Sequence, residues 1–284
     1  MALNTTSTGR AWLPDATGDL ILRPVARESV ALTALGGPVT APAQTNRFRI
    51  PIVAADPSAS YVAEGAEIPL SDGELSEVSD VFHKLAGLSV ISRELADDSS
   101  PGAADQIGQG LARDIAKKLD ANFFGAGGLN APMGLEDLAG VTVHETSGTS
   151  WADTDAFVSA IYGAEGEGAT LGAFVANPTD ALALAQLREA DTSNKHLLQP
   201  DPTQPLRRLL AGIPLLTSPA VTVGTVWGLP TEGRLQVCVR EDVRVDVDGS
   251  AYFSSDQVAV RATLRHTNLC AHEASVQKVM LAAA

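Results

Sequence analysis

Residues 47 to 92 most constrain what this chain can fold into: two β-forming stretches are separated there by a long acidic segment with little to bury. The first, RFRIPIV (residues 47 to 53), alternates Phe48, Ile50 and Ile52 with Arg47, Arg49 and Pro51. A two-residue period puts the apolar set on one face of a half-exposed strand, and Pro51, with no N–H to donate, makes it an edge strand. The second, DVFHKLAGLSVIS (residues 80 to 92), is also rich in β-formers. The two are expected to pair as a β-hairpin with a long tip at about residues 55 to 78. That tip carries Glu64, Glu67, Asp72, Glu74 and Glu77 and neither Lys nor Arg. Loops of such length in compact proteins are functional or disordered. Calcium would need the D-x-D-x-D-G ligand spacing, which is missing, so a solvated or subunit-docking loop is expected.

The next segment reads as a long helix. Ser99 or Ser100 suits its N-cap and Pro101 its first position. Ala104, Ile107, Gly108, Leu111, Ala112, Ile115, Ala116, Leu119 and Phe123 then recur at three- and four-residue steps as far as Gly125. About 24 residues at ~1.5 Å each make a rod of roughly 36 Å. Arg113, Lys117 and Lys118 fall in its middle and last turns. Asp97 and Asp98 precede its positive end, where carboxylates are stabilising, and are read as helix-end residues rather than a catalytic dyad.

Before the hairpin, residues 1 to 46 are rich in Thr, Ala, Gly and Pro and read as an extended arm that must lie on something else. One short amphipathic piece, DLILRPVARESVALTAL, interrupts it. After the helix, helices are expected over WADTDAFVSAIYGAE (151–165) and TDALALAQLRE (179–189, capped by Thr179), and a buried strand over GAFVANP (172–178). A Pro-rich loop (199 to 205), the short strands IPLLT and TVGTVWGL, and the long β segments RLQVCVREDVRVDVDG and VAVRATLRHTNL follow, before HEASVQKVML. Helices mixed with long antiparallel strands make the fold class α+β.

Several functions are argued against. The formal net charge of −14 does not suit a nucleic-acid clamp, although it permits a protein that encloses nucleic acid without gripping it. No apolar run is long enough to span a membrane, and the first twenty residues lack the pattern of a secretory signal. Cys238 and Cys270 have no C-x-x-C spacing and read as buried free thiols. A G-x-S-x-G elbow, a Walker A loop, an H-E-x-x-H pair and a strand-borne glycine fingerprint are all missing, so no catalytic, cofactor or metal residue is assigned.

An arm and a hairpin too extended to bury themselves remain to be explained. Arg49-Ile50-Pro51, then Ala63-Glu64-Gly65, Ile68-Pro69 and Ser71-Asp72, form an ordered series. It continues through Lys84-Leu85-Ala86, Ser92-Arg93-Glu94-Leu95 with Asp98-Ser99, Phe124-Gly125 and Pro132-Met133-Gly134-Leu135. Phe253, Val258, Arg261 and Arg265 close it as F-x(4)-V-x-x-R-x(3)-R. In order and spacing this resembles the major capsid proteins of tailed double-stranded-DNA bacteriophages, with the Hong Kong ninety-seven type fold.

The resemblance implies an N-terminal arm (1–46), an extended loop (47–91), a peripheral domain with a spine helix (92–130 and 236–269) and an axial domain (131–235 and 270–284). It implies self-assembly as homo-pentamers and homo-hexamers into an icosahedral shell around double-stranded DNA, built in the bacterial host cytoplasm and found in the virion. Some members cross-link a loop lysine to a neighbour's asparagine. Here Glu77 stands where that lysine would be, residues 47 to 83 contain no lysine, and FSSDQ contains no asparagine, so no such cross-link is expected. A separate scaffolding protein, a portal and a cementing protein are the expected partners. The expected interface residues are Glu64, Glu67, Asp72 and Glu77 against a neighbour's Arg113, Lys117 and Lys118. An encapsulin-type shell is the alternative within the fold, and an acidic enzyme with a non-local site the alternative outside it.

Overall fold

The computed structural model describes residues 29–41, 45–65, 67–94, 103–188, 196–198, 208–231 and 233–282. The chain begins there with a short helix α1 (Val30–Ala34), capped by the Ser29 side chain, and a two-residue strand β1 (Val39–Thr40). Strands β2 (Arg47–Ala55), β3 (Glu74–Val81) and β4 (His83–Ser92) come next, then the long helix α2 (Ala103–Phe124). Its 22 residues make a rod of about 33 Å. β5 (Thr142–Glu145), α3 (Asp155–Gly166), β6 (Leu171–Ala176) and α4 (Pro178–Ala185) follow. The remainder is β-structure: β7 (Leu209–Leu210), β8 (Ile213–Thr217), β9 (Thr225–Pro230), β10 (Leu235–Asp248), β11 (Gln257–Cys270) and β12 (Gln277–Met280).

These strands form three sheets. A four-stranded sheet has the order β1-β10-β11-β4, with the two 14-residue strands antiparallel at its centre. α2 lies over it because its period-3.6 face is apolar: Ala112, Ile115, Ala116, Leu119 and Phe123 are buried in one core with Val237, Val239, Ala262 and Leu264. Gly87 on β4 lets the helix approach, since a Cβ there would meet Leu111 Cδ2 at 3.0 Å. A six-stranded mixed sheet, β5-β12-β9-β6-β8-β7, carries a second core in which Phe157 meets Phe174 edge-on at 5.6 Å and lies beside Trp151. The third sheet is only β2 and β3.

The fold is α+β, as the sequence indicates. The pairing of β2 is not as expected. Its partner is Glu74–Val81, with Arg47 opposite Val81 and Ala55 opposite Glu74. The run 80 to 92 is not one strand: the chain changes sheets at Phe82, and His83–Ser92 pairs with β11 instead. Backbone groups satisfied in two different sheets are equally satisfied, so a continuous β-rich sequence carries no mark of the switch. Two smaller corrections concern helix ends. α4 is capped by Asn177, whose side chain accepts from Thr179 N, with Pro178 in the first turn, so Thr179 is not the cap. α2 ends at Phe124 with no basic residue in its last turn, which places Lys117 and Lys118 earlier. Most of the arm, Asp97, Asp98, Ser99, Ser100, Pro101 and the Pro-rich loop lie outside the described residues.

Candidate assembly surface

The hairpin β2–β3 stands apart from both cores. Phe48, Ile50 and Ile52 are half-buried while Arg47, Arg49, Pro51 and Val53 are exposed, the alternation their spacing predicts. β3 has no fully buried residue. Beyond the paired part the tip is exposed throughout its described residues, closed by one bond from Ser71 Oγ to the Ser58 carbonyl at 2.9 Å. Leu70 is 101% exposed, Leu75 83% and Ile68 75%, and Tyr61 is wholly exposed beside them. A two-stranded ribbon is marginal in water unless something packs on it, and large exposed apolar side chains in series mark where that happens.

Glu64, Glu67 and Asp72 stand exposed on this tip. Glu77 is also exposed but lies in the ribbon opposite Pro51, with Arg49 Nη1 3.5 Å from its carboxylate across the strand pair. Arg113, Lys117 and Lys118 line the solvent side of α2, opposite its buried stripe. Within one subunit no ion pair among the described residues joins the acidic set to the basic set. The two patches are displayed, not consumed.

The root of the hairpin is fixed to the four-stranded sheet. Phe82 N donates to the Asn46 carbonyl, Phe48 and Phe82 rings lie 6.5 Å apart, and Thr267 Oγ1 donates to Asp80 Oδ2 at 2.5 Å. α1 is held at the other side of α2 by a residue the sequence does not single out. The buried Asp120 carboxylate accepts from Ser29 Oγ at 2.6 Å, Val30 N at 2.9 Å and Ala31 N at 3.2 Å, so it closes the N-terminus of α1. Burial nonetheless raises its pKa, against those three bonds. The available signal was its place on the apolar face, one turn beyond Ala116.

The turn after α2 is equally specified. Gly127 N and Gly134 N both donate to Asp137 Oδ2, and Asn268 Nδ2 donates to the Met133 carbonyl at 2.9 Å. A Cβ on Gly134 would lie 2.0 Å from the Gly125 carbonyl oxygen, so only glycine fits. On the outer face of the sheet, Arg261 Nη2 and Arg244 Nε reach Asp246 at 2.8 and 2.7 Å, which holds that carboxyl below its ordinary pKa. At the sheet's far end Phe253 is exposed in the β10–β11 connection. Cys238 and Cys270 are free and buried, and burial pushes the thiols up to about 12 and about 11, which makes them unreactive.

The model of the phage capsid family matches residues 9–279. No protein of curated function matches the sequence significantly. Among solved structures, the capsid of an empty GTA particle computed with C5 symmetry is similar at TM-score 0.75 and 18% identity, covering 99% of this chain and 100% of that one. A chain of Microbacterium phage Oxtober96 gives 0.72 at 18% identity, with 89% and 91% covered. One of Mycobacterium phage Bobi gives 0.70 at 19% identity, with 90% and 91% covered. At these identities the likeness is one of fold, and it extends over nearly the whole molecule.

Proposed function

The chain belongs to the phage capsid family, and from that premise we propose how its subunits join. It is a major capsid protein of the phage-type icosahedral shell, a structural protein that assembles with copies of itself as a component of the virion. The observation that carries the mode of joining is the hairpin, whose apolar tip residues find no cover in their own subunit. Docked on a neighbour, Ile68, Leu70 and Leu75 leave water, and each such burial contributes roughly 1.5–3 kcal/mol before ordering costs. Repetition of one such contact around a rotation axis gives closed rings.

In this reading Glu64, Glu67, Asp72 and Glu77 meet Arg113, Lys117 and Lys118 of an adjacent subunit, where charge sets register and orientation more than affinity. Rings of five and six tile the shell. The arm (1–46) and extended loop (47–91) are the reaching elements, residues 92–130 with 236–269 form the peripheral domain, and 131–235 with 270–284 the axial domain. Double-stranded DNA is enclosed without sequence-specific contact, consistent with the acidic charge. Lysine–asparagine cross-links play no part, since residues 47 to 83 hold no lysine. Scaffolding, portal and cementing functions fall to other proteins, and assembly takes place in the host cytoplasm. The family match favours this reading over a cellular cargo shell or an enzyme.

The test is charge reversal at Glu64 and Glu67 together (E64K/E67K). The subunit should keep its circular dichroism spectrum and thermal midpoint while particles, counted by negative-stain microscopy, become rare. Normal particle yield from the double variant would overturn the acidic docking contact.

A further inference from the structure

β11 carries a buried group that assembly does not explain. His266 is 3% exposed, and neither ring nitrogen meets a hydrogen-bond partner among the described residues. Buried polar atoms are satisfied in the great majority of cases, so an imidazole with both nitrogens orphaned is a stored cost. Its place in the fold is equally specific. Directly opposite it on β4 stands His83, the first residue after Phe82, where the chain leaves the hairpin. His83 Nε2 lies 3.8 Å from Asp80 Oδ2, the oxygen that also accepts from Thr267 Oγ1. One carboxylate therefore ties the last residues of the hairpin to the strand that bears the buried ring.

The surroundings give His266 nowhere to place a charge. On β10 the residue opposite is Val239, which is apolar. On the buried face of α2 the titratable group is Asp120, whose oxygens are already taken by Ser29, Val30 and Ala31. On β4 the facing group is His83, whose own proton would be held by Asp80 on β3 and would add a like charge beside His266. An imidazolium at this position must leave the core to be solvated.

We propose that the His83–His266 pair makes the root of the hairpin an acid-released joint. On protonation the β4–β11 pairing parts at its Lys84–Arg265 and His83–His266 end, and the hairpin comes free of the sheet that holds it while both cores stay folded. The hairpin-docking contact and this joint are separable: failure of one leaves the other standing.

The sign follows from the depressed pKa. Burial, with the charge of His83 second, pushes His266 from 6.5 down to about 4. The closed joint is thus fully stable above pH ~6.5 and loses stability as pH falls toward 4. Between pH 7 and 4.5 the ratio of open to closed joint should rise on the order of 50-fold.

Amide hydrogen exchange of the full chain, corrected for the intrinsic pH dependence, reads this directly. Peptides spanning 80–85 and 264–268 should lose protection by that factor, while peptides across β6 and β9 hold theirs. His266→Leu should abolish the pH-dependent part. Equal loss in all peptides, or full pH dependence retained in H266L, overturns the joint. Should H266L not fold, exchange of the imidazole Cε1–H in the unaltered chain decides by itself. A His266 midpoint below about 5.5 supports the proposal, and one at or above that value overturns it.

Discussion

β9 and β3 are both short strands with antiparallel neighbours, and their surroundings could hardly differ more. All six residues of β9 are buried, whereas none of the eight in β3 is. β9 sits between β12 and β6, under α3 and α4, in a core its own chain completes. β3 has one partner, β2, and beyond it open solvent. Backbone pairing is therefore the same in both, and the difference is who supplies the side-chain cover. For β9 it is the subunit; for β3 it is another copy.

The sharpest break of this comparison lies at Trp227. It is 1% exposed on β9, with Lys278 Nζ 5.0 Å from its ring centroid and bonded to Glu136. Trp227→Ala should cost about 3–5 kcal/mol of subunit stability, measured by urea unfolding. A smaller loss is expected at Asp120. Asp120→Ala removes the acceptor for Ser29, Val30 and Ala31 and should cost about 2 kcal/mol. Asp120→Asn keeps one acceptor oxygen and should cost less. The smallest effect is expected at the hairpin tip. The pair Ile68→Ser and Leu70→Ser should shift subunit stability by no more than ~0.5 kcal/mol while particle yield collapses. If the tip substitutions destabilise the free subunit as Trp227→Ala does, the tip is covered within its own chain and the contrast with β9 fails.

Much of this contrast is legible in the sequence. The alternation of Phe48, Ile50 and Ile52 gives β2 its two faces, and the three- and four-residue recurrence from Ala104 to Phe123 gives the long helix its buried stripe. Local periodicity records local burial. β3 escapes such reading because ELSEVSDV is polar and exposed in the subunit, so it has no apolar face to repeat. The sheet switch at Phe82 leaves no trace because both neighbours of that residue are strand. Asp120 and His266 are invisible for another reason: one looks like any helix carboxylate and the other like any scattered histidine. Only the placement of α1 and of β4 gives them partners or takes partners away. Among the interface residues, the sequence marks Glu64, Glu67 and Asp72 as an acidic group, but the cross-strand pairing of Glu77 with Arg49 needs the register.

The two larger sheets have a consequence for how the protein is made. The four-stranded sheet needs β11 between β10 and β4, and the six-stranded sheet needs β12 between β5 and β9. β12 spans Gln277–Met280, so the strand that joins β5 to the rest is among the last segments to leave the ribosome. Pairings that distant in sequence form slowly and late. A chain released before residue 277 therefore has its hairpin but not its finished body, and cannot offer a neighbour the surface that a complete one does. Completion of synthesis becomes the licence to assemble, and broken copies are kept out of the lattice without any separate inspection.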